Sequence, residues 1–236
     1  EAQLRASGHG TACAMFLSEG EDAIIRALFD FARRDVFTSG ELPLAIVAVG
    51  GYGRGTLAPG SDIDLLFLTP SIEDRRVGEV VEFLLYALWD ARQKVGHATR
   101  TVSDCVRLAK TDNTIMTAVL EARFICGSES LFAELQSQYR SGILQKEARR
   151  FVTDKLAERD QRHIKSGESR YAVEPDLKDG KGGLRDLHTL FWIAKFLFEA
   201  NTPEQLAEKG AFSRDDLRRF QKAEDFLWAV RCHLHF

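Results

Sequence analysis

A glycine-rich loop between two short apolar runs is the feature of this 236-residue chain that most restricts its fold. The runs Leu44–Val49 and Ile63–Leu68 are short and rich in branched apolar residues, which predicts two buried strands. The loop that joins them starts with Gly50 and Gly51, and residues without side chains let the backbone approach a bound group closely. The sequence therefore predicts a strand, an open loop and a second strand at the centre of the fold.

Two aspartates occupy alternate positions where the second strand begins. Residues two apart on a strand face the same side, so Asp62 and Asp64 share one face while Ile63 and Leu65 face the core. Neighbouring carboxylates repel each other unless a cation lies between them. Mg²⁺ is usually held by one or two carboxylates together with substrate phosphates. Asp62 and Asp64 are therefore the predicted catalytic residues and the predicted ligands of Mg²⁺ or Mn²⁺.

The loop before the aspartates has the groups that a triphosphate requires. Gly50 and Gly51 expose backbone N–H groups, Arg54 can neutralise phosphate charge, and Ser61 can donate its hydroxyl. A glycine-rich hairpin with solvated aspartates is the simpler alternative. The order of apolar strand, Gly-Gly, ten further residues and Asp-Ile-Asp-Leu favours the metal and triphosphate site.

Two other phosphate-binding motifs are excluded. The P-loop requires Gly-Lys followed by Ser or Thr, a sequence that does not occur in this chain. Residues 53–58 fit the loose pattern GxGxxA of dinucleotide-binding loops. That pattern must open a helix, however, and Pro59-Gly60 stands where the helix should run.

The distribution of patterns along the chain predicts an α+β fold. An amphipathic helix from Pro70 to about Lys94 and a third strand at His97–Val102 follow the two aspartates. The later pattern is helical; the predicted helices are 103–110, 112–125, 129–139, 142–165, 187–199 and 213–236. We therefore predict an N-terminal tail (1–20), a small mixed-sheet domain (21–127) and a helical domain (128–236).

Composition excludes several classes of protein. The net charge of −3 does not favour a nucleic-acid partner, and no apolar run reaches the length of a membrane span. The four cysteines are far apart, which favours reduced thiols and a cytoplasmic location. The chain lacks an initiator Met and ends within a predicted helix, so we expect it to be the front part of a longer protein.

Gly50-Gly51, the ten-residue gap and Asp62-Ile63-Asp64-Leu65 resemble the signature of the polymerase-β-like nucleotidyltransferase superfamily. The longer string GGYGRGTLAPGSDIDLLFL resembles the bacterial protein-PII uridylyltransferase family, which is bifunctional in adding and removing uridylyl groups. VEPDLKDGKGGLRDLHTLFW at 173–192 and GHATRTVSDC at 96–105 are similar to the same family. The resemblance extends over about residues 20–236.

This resemblance implies a nucleotidyltransferase palm domain and a helical companion domain. The implied reaction transfers UMP from UTP to a tyrosine hydroxyl of the PII nitrogen-signalling protein and releases pyrophosphate. Asp62 and Asp64 would bind Mg²⁺, while the Gly50-Gly51 pair and Ser61 would hold the triphosphate. With the resemblance, Lys181 and Arg185 of a basic loop are expected to close over the phosphates, and Asp186 to cap the next helix.

The sequence departs from the family pattern in two ways. The third predicted strand lacks the carboxylate that the superfamily usually has there; Asp104 follows it, but helix capping beside Ser103 is its expected role. Thr56 stands where the family often has an acid. No His-Asp dipeptide occurs, so we do not expect the family's hydrolase domain here, nor its glutamine-sensing ACT domains.

Two alternatives to the implied reaction stay open. A nucleotidyltransferase with a different acceptor would have the same motifs. A nucleotide-binding regulatory module without turnover would explain the absent third carboxylate. His188, near the start of a predicted helix, is expected to be packed or exposed and not catalytic.

Overall fold

A computed structural model describes residues 2–38, 40, 42–166 and 176–236. The chain divides into two compact units. The sheet unit is Ala14–Ile143, and the helical unit is Glu1–Cys13 together with Leu144–Phe236. This division differs from the predicted boundary between residues 127 and 128.

The sheet unit contains a mixed sheet of four strands, in the order β3-β2-β1-β4. The strands are β1 (Ala45–Ala48), β2 (Ile63–Leu68), β3 (Val95–Arg100) and β4 (Arg123–Gly127). β1 pairs antiparallel with β2 and β4, and β2 pairs parallel with β3. The three predicted strands are confirmed, although the third begins and ends two residues before the predicted His97–Val102, because α5 starts at Val102.

The helices of this unit share its hydrophobic core with the strands. They are α2 (Gly10–Phe31, whose first turn counts with the helical unit), α3 (Gly50–Gly53), α4 (Arg75–Asp90), α5 (Val102–Ala109), α6 (Asn113–Leu120) and α7 (Glu129–Tyr139), with π-helical turns at Ala32–Val36 and Arg140–Leu144. The N-cap of α4 is Asp74, whose carboxylate accepts bonds from the backbone N–H groups of Arg76 (3.0 Å) and Val77 (3.3 Å). Its buried face is the predicted one: Val77, Val80, Val81, Leu84, Leu85 and Leu88.

The predicted helix over 112–125 is wrong in its second half. α6 ends at Leu120, and β4 follows as an edge strand paired with β1. The local pattern favours a helix here, but the segment instead pairs its backbone with a strand distant in sequence and buries Ile125. α7, placed in the helical domain by the prediction, packs on β1 and β4.

The helical unit contains α1 (Ala2–Ser7), α8 (Ala148–Lys165), α9 (Leu184–Phe198), α10 (Pro203–Glu208) and α11 (Arg214–His235). Phe151 of α8 and Phe196 of α9 stack with ring centroids 4.3 Å apart in its core. α10 was not predicted, and α8 begins later than the predicted residue 142. α9 begins before the predicted residue 187, so Asp186 lies within its first turn and Gly183 takes the N-cap position.

The residues predicted as an N-terminal tail are largely helical in α1 and α2. Their apolar side chains explain this difference, because Leu4 and Cys13 are almost fully buried. The α+β fold class is confirmed by the mixed sheet and the helices. All four cysteines are free thiols. Among the described residues, no helix combines the length and the apolar character that a bilayer crossing requires.

Candidate nucleotide-binding site

The chain turns sharply where β1 meets the Gly-Gly pair. Gly50 has a φ of +58°, a conformation that glycine adopts without strain. Gly50 and Gly51 then open α3, whose N-cap is Val49. The Val49 N–H donates to the backbone carbonyl of Asp64 at 3.0 Å, and the Gly53 N–H donates to the Val49 carbonyl at 2.9 Å. The first bond ties the start of the loop to β2 at Asp64, and the second closes the turn of α3.

The carboxylate of Asp64 lies between two glycines, in a space that we call the glycine slot (Gly50, Asp64 and Gly96). The parallel register of β2 and β3 places Asp64 opposite Gly96. A Cβ atom on Gly96 would overlap with Asp64 Oδ1, and a Cβ atom on Gly50 would lie 3.0 Å from Asp64 Oδ2. The carboxylate therefore occupies space that a side chain at position 96 would fill and that one at position 50 would narrow.

Asp62 lies just before β2 and is exposed, while Asp64 is half-buried. Ile63 is fully buried and Leu65 is 2% exposed. This alternation agrees with the prediction that the two aspartates face away from the core.

Ser61 closes a turn immediately before the aspartates. Its N–H donates to the Ala58 carbonyl at 3.1 Å, and Gly60 has a φ of +67°. With Pro59 before that glycine, this is the geometry of a type II turn. Residues 53–58 do not continue as a helix, which confirms that the dinucleotide-type pattern is accidental.

Arg54 is held at the end of α3 by a buried acid. Its Nη1 atom lies 3.6 Å from Glu121 Oε2 and donates to the Gly50 carbonyl at 3.4 Å. The side chains of Arg54 and Glu121 are 14% and 1% exposed, respectively. The predicted phosphate-binding arginine thus lies beside the glycine pair, with a partner that the sequence did not indicate.

A buried polar network underneath α3 was also missed. The Tyr52 hydroxyl donates to Asp22 Oδ1 at 2.6 Å. Arg123 binds the same carboxylate twice, through Nη1 to Oδ2 (2.5 Å) and Nη2 to Oδ1 (3.0 Å). Burial by itself raises the pKa of Asp22, but the bonds from Arg123 and Tyr52 outweigh it and hold that pKa below its usual value. The same burial and the bond to Asp22 raise the pKa of Tyr52.

No further carboxylate joins the aspartate pair in the described ranges, since no group of three or more His, Cys, Asp or Glu side chains there is arranged to hold a metal ion. Asp104 is engaged elsewhere: it accepts from the Thr101 hydroxyl at 2.8 Å and from Arg107 Nη2 at 2.7 Å. Thr101, and not the predicted Ser103, is the N-cap of α5.

Asp62 and Asp64 nevertheless fit a hard divalent cation. Asp64 offers carboxylate oxygens beside Gly50, and Asp62 is exposed two residues before it. Mg²⁺ is usually held by one or two protein carboxylates together with waters and substrate oxygens, and a pair of aspartates agrees with that coordination.

The two predicted basic residues Lys181 and Arg185 belong to the helical unit. Lys181 is exposed and lines a cavity of about 480 Å³ within that unit, together with His163 and Asp186. His163 Nε2 lies 2.9 Å from each carboxylate oxygen of Asp186. Arg185 Nε donates to Asp179 Oδ1 at 3.4 Å. Their proposed contact with phosphate stays a prediction.

His188 is 5% exposed, and its ring centroid lies 6.0 Å from that of Trp192. It is therefore a packed residue, one of the two placements that the sequence predicted. Part of the sequence block at 173–192, residues 173–175, lies outside the described residues.

Comparison with known proteins gives two family matches. Residues 33–124 match the family described as nucleotidyltransferase domain, and residues 150–236 match the family described as GlnD PII-uridylyltransferase. The chain is also 50% identical, over 240 aligned residues, to a bifunctional uridylyltransferase/uridylyl-removing enzyme of Rhodopseudomonas palustris (strain ATCC BAA-98 / CGA009). That alignment covers 100% of this chain and 26% of the relative.

The mixed sheet, the loop at Gly50 and the match over 33–124 define a nucleotidyltransferase domain. With the second family match and the identity over its whole length, the chain belongs to the GlnD uridylyltransferase family. The resemblance noted in the sequence is therefore confirmed. The chain spans only about a quarter of the curated relative, 26% of its length.

Proposed function

We propose that this chain transfers UMP from UTP to a tyrosine hydroxyl of the PII nitrogen-regulatory protein, in the cytoplasm and with release of pyrophosphate. The observation that carries the proposal is the glycine slot. It places a carboxylate beside an open backbone loop, in a chain 50% identical to a protein named for uridylyl transfer.

The residues around the slot have separate tasks in this proposal. Asp62 and Asp64 would hold Mg²⁺ or Mn²⁺, which would supply positive charge to the triphosphate and the departing pyrophosphate. Gly50 and Gly51 leave the backbone N–H groups near the phosphates. Arg54 offers N–H donors beside them from a side chain already held by Glu121.

The covalent step joins the acceptor tyrosine oxygen to the α-phosphorus of UTP. The bond from that phosphorus to the oxygen bridging to the β-phosphorus breaks, and pyrophosphate leaves. The tyrosine loses its proton to a base that we do not assign, because Asp104 is bound to Thr101 and Arg107. Ser61 would donate its hydroxyl to a phosphate oxygen, and Lys181 and Arg185 stay predicted phosphate contacts.

The test is transfer of labelled UMP from UTP to purified PII protein with Mg²⁺ or Mn²⁺. We expect Asp64→Asn to reduce transfer on the order of a thousandfold, because the loss of metal charge removes several kcal/mol of transition-state stabilisation. Asp62→Asn is expected to act in the same direction. Asp30→Asn, at an exposed aspartate of the same unit, is the control. Transfer at the wild-type rate by folded Asp64→Asn protein would contradict the assignment.

One observation keeps a second function in view. Among the described residues, no third carboxylate joins Asp62 and Asp64. A nucleotide-binding module without turnover would not need that carboxylate. Tight binding of UTP without release of pyrophosphate, in the presence of PII protein, would favour that module. Release of pyrophosphate with label on another acceptor would instead indicate a transferase with a different substrate.

A further inference from the structure

We infer that Tyr52 is a positioning residue for the nucleotide: through Asp22 and Arg123 it fixes the backbone of Gly50 and Gly51. The inference rests on the proposed function, since it assigns a task to the network beneath the proposed triphosphate loop. Tyr52 itself touches neither the nucleotide nor the reacting atoms, because its side chain is 1% exposed.

The segment that needs support is α3, which has the sequence Gly-Gly-Tyr-Gly. A helix of 4 residues gains little from its own hydrogen bonds, and glycine loses more conformational freedom on folding than any other residue. Tyr52 is the only residue of α3 with a side chain. Tyr52 is therefore the one residue of α3 whose own side chain can reach the rest of the sheet unit, while Arg54, just past its end, donates to the Gly50 carbonyl from outside.

Both ends of Tyr52 are held by the network. Its hydroxyl donates to Asp22 Oδ1 at 2.6 Å, and its backbone carbonyl accepts from Arg123 Nη2 at 3.3 Å. The guanidinium carbon of Arg123 also lies 5.4 Å from the centre of the Tyr52 ring. These contacts fix the ring and the main chain of the same residue, next to Gly51 in the sequence.

The acceptor of the Tyr52 hydroxyl is itself buried and held by several hydrogen bonds. Asp22 is 5% exposed and binds both terminal nitrogens of Arg123, while Arg26 Nη2 donates to its Oδ2 atom at 3.2 Å. An ionised carboxylate held by two guanidinium groups is a strong and well-oriented acceptor. The network thus connects α2, α3 and β4 at one point below the loop.

The consequence for function is the position of the loop backbone. Contacts from backbone N–H groups to phosphate depend on distance, and a displacement of about 1 Å can cost about a hundredfold in rate. Loss of one buried bond leaves the loop in place on average but lets it move. We therefore expect weakened nucleotide binding and not complete loss of transfer.

Tyr52→Phe removes the hydroxyl, and Tyr139→Phe is its matched control. Tyr139 lies in the same unit, is 4% exposed, and its hydroxyl donates to the Met116 carbonyl at 2.8 Å, outside α3. Each variant loses one buried tyrosine hydrogen bond, so a merely structural role predicts equal effects. The measurements, made on the intact protein, are the Kd of UTP with Mn²⁺, the KM and kcat of transfer, and the thermal midpoint.

We expect both variants to have lowered thermal midpoints, while Tyr52→Phe alone raises the Kd and KM for UTP by about tenfold. Equal Kd values in the two variants would overturn the inference while leaving the proposed function intact. Absence of UTP binding by the wild-type protein would instead overturn the proposed function. If Tyr52→Phe does not fold, Arg123→Lys replaces it: this variant keeps the charge but loses the double contact with Asp22, and an unchanged Kd would again contradict the positioning role.

Discussion

Substitution of Gly96 by alanine is the sharpest perturbation of the site, because it changes the glycine slot without replacing a proposed ligand. Gly96 lies opposite Asp64 in the parallel pair of β2 and β3. An added Cβ atom would overlap with Asp64 Oδ1, while Gly50 bounds the same carboxylate on its other side. The carboxylate can relieve the overlap only by moving out of its present position.

The magnitude follows from the size of that movement. Restoring an ordinary contact requires a shift of about 1 Å, and a misplacement of that size in a catalytic group can cost about a hundredfold in rate. Stability should change much less, because the far end of a side chain can rotate and alanine restricts the unfolded chain more than glycine, a gain of about 0.4–1 kcal/mol. We therefore expect Gly96→Ala to lose about a hundredfold in kcat/KM and to stay folded.

The assay is steady-state transfer of labelled UMP, combined with thermal unfolding of each variant. Gly78→Ala is the control, since Gly78 lies in α4 and an added Cβ atom there meets no atom within 4 Å. Transfer by folded Gly96→Ala within about threefold of the wild-type rate would refute the reasoning, because a difference that small is below 1 kcal/mol.

Two further predictions concern stability. The pKa of Asp22 is lower in the folded state than in the unfolded state. Its bonds to Arg123 therefore stabilise the fold fully above the unfolded pKa of about 3.9, and this stabilisation is lost as the pH falls through the folded pKa. Asp22→Asn should therefore flatten the acid side of a plot of urea midpoint against pH, and an unchanged slope would contradict this. Gly10→Ala should destabilise the chain by about 1–3 kcal/mol, because its Cβ would overlap with the backbone of Ala229 in the helical unit. Gly20→Ala, in the same helix but with open space around it, should stabilise by about 0.5–1 kcal/mol, and equal urea midpoints for the two variants would contradict the close approach.

Local sequence patterns were sufficient to predict the secondary-structure elements that form the candidate site. Strands β1 and β2 and the buried face of α4 were predictable because their apolar residues repeat at the spacing of a strand or a helix. The opposite orientation of Ile63 and Asp64 followed from the same alternation, since neighbouring strand residues face opposite sides. The slot itself was not predictable, because Gly96 comes from a different strand.

The largest gaps in the prediction concern features that depend on contacts between residues distant in sequence. β4 is a strand because it pairs with β1, although its own residues lie in a helical pattern. Asp22 and Arg123 are 101 positions apart, so no motif joins them. Arg54 was recognised as a basic residue of the loop, but its pairing with Glu121 depends on where α6 ends.

The glycines on either side of Asp64 also decide which acid can serve at that position. A glutamate bears the same charge on one more methylene, and its carboxylate would extend past the volume that Gly50 and Gly96 leave open. An exchange that is mild on most protein surfaces is thus unfavourable here. In any redesign of this enzyme family, the side chains at positions 50, 64 and 96 should be changed together, because the length of one limits the length of the others.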